Sequence, residues 1–376
     1  MFVAITNTPR EYAWGSKTAI ADLLGRAPSG RPEAEYWLGT HPGSPSQICD
    51  PAAHGGTKLL SKLTTLPFLL KVLAADAPLS LQAHPTSAQA RAGFARENAL
   101  GIPLDAPNRD YRDDKHKPEL IYALSDEFAA LCGFRAVTAT RALLVALGDH
   151  PMLDSFRARL VDDTTLRPTV DWLLSRADGV DALVALVVER SRGLDAPEFQ
   201  MVGELAADYP GDPGIVLALL LNRIVLSPGQ ALYLPAGNIH AYLKGVGIEL
   251  MSASDNVLRG AFTEKHIDVP ELLKVLDFRS EPPPFLTSEG SGPGIRVFRP
   301  DVPDFELVVV HPTGDAARFT PAGESLVLCT EGEFTIVGSV SEKSMERGES
   351  VYVTADESTL VFTGSGTAFL ATVNSP

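Results

Sequence analysis

Apolar residues change their spacing twice along the chain. Up to about residue 134 they come in short strand-like runs, such as 35–39 and 120–124, broken by Pro and Gly. Between about 136 and 222 they recur at helical spacing. Ala142, Leu143, Leu144 and Leu147 form one face, and Leu183, Leu186, Val187 and Val188 another. Asp178-Gly-Val-Asp, Asp195-Ala-Pro and Gly211-Asp-Pro-Gly read as helix boundaries. After Ser227 the strand pattern returns. Short strands are expected at 307–311, 325–329, 334–337, 350–353 and 369–373, separated by Gly, Glu and Asp turns.

This order predicts a mainly β fold with an α insertion. Residues 1–135 and 227–285 are expected to form a catalytic β domain, 136–226 a helical insertion, and 286–376 a C-terminal β-barrel. A weak internal repeat refines the expectation. Gly229-x5-Pro235-x-Gly237-x2-His240 resembles the turn-and-ligand pattern of cupin barrels, which implies a cupin-type β-barrel (jelly roll). Residues 347–353 open a strand in the same way, but Thr354, Asp356 and Thr359 follow where Pro235, Gly237 and His240 stand. The second barrel is therefore expected to be a degenerate cupin-like copy without the metal histidine.

At 376 residues the chain is long enough for two or three subdomains. Its first residues show no basic segment followed by a long apolar run, and the window 215–226 is too short to span a bilayer. Cys49, Cys132 and Cys329 are far apart and form no zinc pattern. Reduced thiols in a cytoplasmic protein are the natural reading. The net charge of -15 argues against nucleic acid or an anionic membrane as partner. A phosphorylated substrate would then need local cations. Lys115-His116-Lys117, and Arg259 with Lys265-His266, supply two such clusters.

The densest chemistry lies in 229–268, where Tyr242, Lys244, Glu249, Asp255, Asn256, Arg259, Lys265 and His266 stand among apolar strand residues. So many polar groups on buried segments are costly unless they line a site. Four residues read as metal ligands. Gln82 and His84, two apart on a strand, share a face. Glu119 opens another strand, and His240 follows the Pro-Ala-Gly-Asn turn. Two imidazoles, a carboxylate and an amide oxygen suit zinc. Each residue alone has a bland reading as a structural histidine or a solvated strand-end charge. Their joint placement beside distinctive turns favours a site.

Ser-Leu-Gln-Ala-His-Pro at 80–85, His-Lys-Pro-Glu-Leu at 116–120, Gly-Asn-Ile-His-Ala-Tyr at 237–242 and the run 247–268 resemble the type I phosphomannose isomerases. Tyr-Ala-Trp-Gly-Ser at 12–16 and Glu-Tyr-Trp-Leu-Gly-Thr-His-Pro at 35–42 fit the same family, and the resemblance covers essentially the whole chain. It implies a zinc enzyme that interconverts mannose 6-phosphate and fructose 6-phosphate through a cis-enediol; a monomer is expected, although the sequence does not fix the oligomeric state. It also implies Gln82, His84, Glu119 and His240 as zinc ligands and Arg259 as a catalytic residue. Lys115 and Ala261 stand where the family often has Asn and Gly.

Such a reaction needs a polarised carbonyl and a base that moves a proton between C1 and C2. Arg259 is permanently charged and fork-shaped, fit either for the developing charge or for phosphate, with an ion pair to Asp255 as the structural alternative. Glu249, His116, Lys117 and Asp255 are the candidate bases. Lys117 shares a strand face with Glu119, whereas His116 points the other way unless Pro118 bends the chain. Trp14, Ser80 and Tyr242 are expected substrate contacts, and Lys265 a phosphate contact. Two rival readings use the same residues: a mononuclear iron dioxygenase and a non-catalytic sugar-binding protein. Gln82 and the Lys-Arg cluster argue against the first; Lys117, Glu249 and Arg259 beside the metal argue against the second.

Overall fold

The computed structural model describes residues 1–312 and 316–374. Two antiparallel sheets carry most of it. The first is organised around the strand His240–Ser252, and the second around the paired strands Ser325–Val337 and Leu360–Thr372. Both sheets run as open paths rather than the closed rings that a barrel implies. Leu258–Ala261 and Phe285–Leu286 end the longest path of the first sheet, and Glu289–Gly290 and Gln47–Ile48 end that of the second.

The strand His240–Ser252 turns a corner. Its first residues pair with Phe128–Phe134 and its second half with Phe68–Ala75 and Glu119–Ala123. The register shifts between Tyr242 and Lys244, and Gly245 follows at φ +127°. A Cβ at Gly245 would lie 2.8 Å from the Phe128 backbone, so the bend requires glycine.

Strict alternation then assigns the two faces of this sheet. Tyr36, Leu38, Phe68, Leu70, Val72, Leu120, Tyr122, Ile248 and Leu250 pack against Phe298, Leu307, Leu326, Leu328, Tyr352 and Phe369 of the second sheet. The intervening residues Glu35, Trp37, Lys71, Glu119, Glu249 and Met251 face the other way. That inward face holds the candidate site.

The first strand departs from the sequence division. Phe2–Thr6 pairs with Ser350–Val353 and with Gln47–Ile48, so the start of the chain completes the C-terminal sheet. Its alternating Val3 and Ile5 are buried in the core between the sheets. The strands read at 325–329 and 334–337 are one strand, Ser325–Val337. Exposed Glu331, Gly332 and Glu333 interrupt the apolar pattern but not the pairing.

Helices fill the interval from Val137–Val145 to Gly214–Ala218. The packed faces differ slightly from the expected ones. Val137, Thr140 and Leu144 are buried while Ala142 is exposed, and Val180, Leu183, Val184 and Val187 form the inner stripe of the helix Val180–Ser191. Gly214 in the helix Gly214–Ala218 abuts the first sheet, where a Cβ would meet the Ala261 methyl at 2.3 Å. The Ala at 261 therefore fits because its neighbour is glycine. Among the described residues no helix is long and apolar enough to cross a membrane.

Candidate metal centre

Three side chains converge inside the first sheet. His84 Nε2 lies 3.2 Å from Glu119 Oε1, and His240 Nε2 lies 3.3 Å from Glu119 Oε2. Each of the three residues is only 1% exposed. The sequence builds this meeting from three local features. Leu81–Ala83 pairs with the strand Leu258–Ala261 and meets His240 at its edge. Glu119 begins the strand Glu119–Ala123 directly after Pro118. The turn before His240 is fastened to the other ligand segment, since Gly237 N–H donates to the His84 carbonyl at 2.9 Å.

Both imidazoles are set for coordination. His84 Nδ1 lies 2.7 Å from the Asn256 carbonyl, and His240 Nδ1 lies 3.0 Å from the Asn238 carbonyl. A carbonyl only accepts, so each Nδ1 donates and each Nε2 presents its lone pair inward. Burial, with the Lys117 charge adding to it, pushes the His84 imidazolium down to about 4 and keeps the ring neutral. Burial raises the Glu119 carboxyl, but Lys117 and His84 outweigh it and hold the carboxylate well below its usual range. His84 Nε2, Glu119 Oε2 and His240 Nε2 are buried without any hydrogen-bond partner. Orphaned lone pairs are expensive in a protein interior, and a divalent cation would satisfy all three. Gln82 stands opposite His240 and beside Arg259 in register, with its amide oxygen 3.4 Å from Ser80 Oγ. Its amide oxygen is the candidate for a fourth donor, beside the two imidazoles and the carboxylate.

The other candidate residues separate. Lys117 is buried, with Nζ 2.8 Å from Glu119 Oε1. His116 turns away, as strict alternation expects, and its Nε2 meets both oxygens of Asp304, from the second sheet's connections, at 3.0 Å. Glu249 lies deeper, bonded at 2.7 Å to Lys71 Nζ, which also reaches Glu35 at 3.5 Å. Burial opposes charge on Lys71, yet Glu249 and Glu35 hold it protonated. Burial raises the Glu249 carboxyl despite Lys71, with Glu119 and Glu35 adding to the rise. Asp255 is at the rim, 3.5 Å from His41 Nε2, and Arg259 forms no ion pair among the described residues. The expected alternative of an Asp255–Arg259 pair is therefore replaced by Asp255–His41. Tyr242 is buried behind His240 and edge-on to Phe128, and burial next to Glu249 pushes its hydroxyl well up. Trp14 stacks on Tyr12 at 5.6 Å, and Lys265 Nζ lies 6.0 Å from the Tyr12 ring.

Two residues of this site carry no expectation from the sequence. His41 is buried edge-on to Trp37, and Lys71 sits inside an otherwise apolar strand. The signal for Lys71 was present, since a lysine in the middle of Phe-Leu-Leu-Lys-Val-Leu-Ala-Ala has no reason to be there unless it is paired.

The site is thus a buried set of nitrogen and carboxylate donors in a two-sheet β fold. Comparison with known proteins places it. Residues 2–137 match the family model for the catalytic domain of type I phosphomannose isomerase. The chain is 35% identical to a mannose-6-phosphate isomerase of Escherichia coli over 96% of its length and 97% of that protein's. It is 30% identical to mannose-6-phosphate isomerase 1 of Arabidopsis thaliana over 87% of its length and 81% of the relative's. A crystal structure of the Salmonella typhimurium mannose 6-phosphate isomerase, bound to fructose 6-phosphate and zinc, superposes with a TM-score of 0.89 over the whole of both chains at 32% identity. The chain belongs to the type I phosphomannose isomerase family.

Proposed function

We propose that this chain interconverts mannose 6-phosphate and fructose 6-phosphate through a cis-enediol, with one zinc ion held by Gln82, His84, Glu119 and His240. The observation that carries the reading is the set of three buried, inward-facing donors without partners, in a chain 35% identical to an isomerase of this activity. Zinc, when bound, supplies Lewis-acid polarisation of the open-chain carbonyl without redox chemistry.

The protein's own groups do the rest. Lys117, buried 2.8 Å from Glu119, is the candidate base closest to the ligands; in its neutral form it would take the proton from C2 and return it to C1, while the hydroxyl proton passes from O2 to O1. One group suffices in both directions, because the proton removed from one carbon returns to its neighbour on the same face. Glu249, fixed on Lys71, sets the charge beneath the ligands rather than touching the sugar. Arg259 and Lys265 offer unpaired positive charge to the phosphate. Trp14 and Ser80 flank the sugar, and Tyr242 backs the His240 ring. His116 and Asp255 lie outside this proton path. The chain acts as a cytoplasmic monomer, with the helical interval 136–226 closing one side of the metal-bearing domain and 286–376 buttressing the other.

The test is a coupled assay on purified protein, before and after chelation and with zinc restored. Turnover of mannose 6-phosphate that disappears with the chelator and returns with zinc supports the reading. A folded, zinc-loaded sample without turnover defeats it.

A further inference from the structure

We propose that Arg112 is a phosphate-binding residue, the third cation of a cradle formed with Arg259 and Lys265. The inference rests on the isomerase reading and deepens it, because it names a residue that would select a phosphorylated sugar.

The placement comes from the backbone. Residues 110–112 run along the segment 256–271, which comprises the strand Leu258–Ala261 and the start of the helix Val269–Val275, and are hydrogen-bonded to it at two points. Arg112 N–H donates to Asn256 Oδ1 at 2.7 Å, and Tyr111 O–H donates to Glu271 Oε1 at 2.8 Å. The Asp110 carboxylate lies within 4.8 Å of ligand atoms of both His266 and Asp268. Arg259, in the strand Leu258–Ala261, and Lys265, in the connection after it, are carried on this same segment. Asn256 is itself fully buried, and its carbonyl is the one that accepts from His84. Arg112 is therefore tied, through one residue, to the metal-ligand shell.

The side chain of Arg112 is exposed and forms no ion pair among the described residues, and the same holds for Arg259 and Lys265. Its nearest carboxylate in sequence, Asp113, is committed to Ser254, to Asp255 N–H and to Asn256. The three cations feel one another. Burial and then Arg112 weaken the hold of Arg259 on its proton, and burial, Arg259 and Arg112 do the same for Lys265. Like charges gathered without counterions are unfavourable in the free protein and favourable once a dianion sits among them. A chain of net charge -15 needs such a local reversal to attract a phosphate at all. Asp110 does not cancel it, since burial and the neighbouring Asp268, Glu97 and Glu271 push its carboxyl up to about 7. Two guanidinium forks and an ammonium suit the tetrahedral oxygens of a phosphate monoester.

The test uses the zinc-loaded full chain with Arg112→Gln and Arg112→Lys. Losing one charge-assisted contact should raise KM for mannose 6-phosphate about tenfold or more, with the larger part of the loss in KM rather than kcat. The inhibition constant for inorganic phosphate should rise in parallel, Arg112→Lys should fall between, and zinc content should stay at the wild-type value. If phosphate binding is lost in Arg112→Gln but the wild type does not turn over mannose 6-phosphate, the isomerase reading fails and the phosphate site stands. If Arg112→Gln binds inorganic phosphate as the wild type does, Arg112 is a solvated surface residue and the proposal is overturned.

Discussion

The two sheets of this molecule solve the same packing problem with opposite interiors. The C-terminal sheet fills its inner face with Val297, Val308, Val310, Val327, Phe334, Ile336, Val351, Phe362 and Leu370, all buried and apolar. The first sheet places Glu35, Lys71, His84, Glu119, His240 and Glu249 at equally buried positions. Where the first copy of the repeat has His240, the second has Thr359, whose hydroxyl bonds to that of Thr320 at the surface. Burial of ionisable groups costs far more than burial of valine, so the first sheet gives up stability that the second retains. The difference shows where function resides: one sheet supplies a scaffold, and the other holds charges that make sense only around a ligand.

Substitutions in the two sheets should separate their roles. The largest functional effect is expected from Glu119→Ala or His240→Ala, which should abolish metal binding and turnover together while the fold persists; retained activity without bound metal would rule out the site as drawn. In the other sheet, Phe362→Ala removes a fully buried ring and should cost about 3–5 kcal/mol in denaturant unfolding, with zinc affinity unchanged. Lys71→Met leaves Glu249 and Glu35 buried without their cation. It should destabilise by roughly 3–5 kcal/mol unless one carboxyl takes up a proton, and chemical denaturation at two pH values would separate these outcomes.

A smaller effect is expected at Asp110. Its carboxyl is raised from 3.8 to about 7 by burial and by Asp268, Glu97 and Glu271. The folded chain then holds a proton that the unfolded chain releases, so stability declines as pH rises from about 4 to about 7 and levels beyond. Asp110→Asn should therefore gain in melting temperature over the wild type across that interval, and the gain should vanish near pH 4. The smallest change is expected for His116→Asn, which loosens the half-buried contact to Asp304 between the sheets. Its expected effect is roughly 1 kcal/mol or less on stability and little on turnover, so a loss of turnover comparable to that of Glu119→Ala would return His116 to the proton path.

Much of the site was legible in the sequence for a physical reason. Gln82 and His84 two apart on a strand, Glu119 at a strand start and His240 after a tight turn are local patterns, and local patterns survive in one dimension. The direction of His116 was also legible, because strand alternation opposes it to Lys117. What was not legible depends on pairing between distant segments. Lys71 becomes intelligible only when Glu35 and Glu249 arrive from strands on either side of it. Arg112 gains its neighbours only when Asn256 fastens its loop. The first strand, short and apolar, carries no mark of which sheet it will join. Closure of the barrels was over-read, since strand spacing reports strands and not whether the ends meet.

The polar interior of the first sheet is built as a one-zinc catalytic centre. The most direct test is stoichiometric titration of metal-free protein with zinc while turnover of mannose 6-phosphate is followed. Activity should rise from background in proportion to zinc and stop at one equivalent per chain, and Glu119→Ala should show neither the binding nor the rise. Full activity before any zinc is added, or zinc bound at one equivalent without activity, would contradict it.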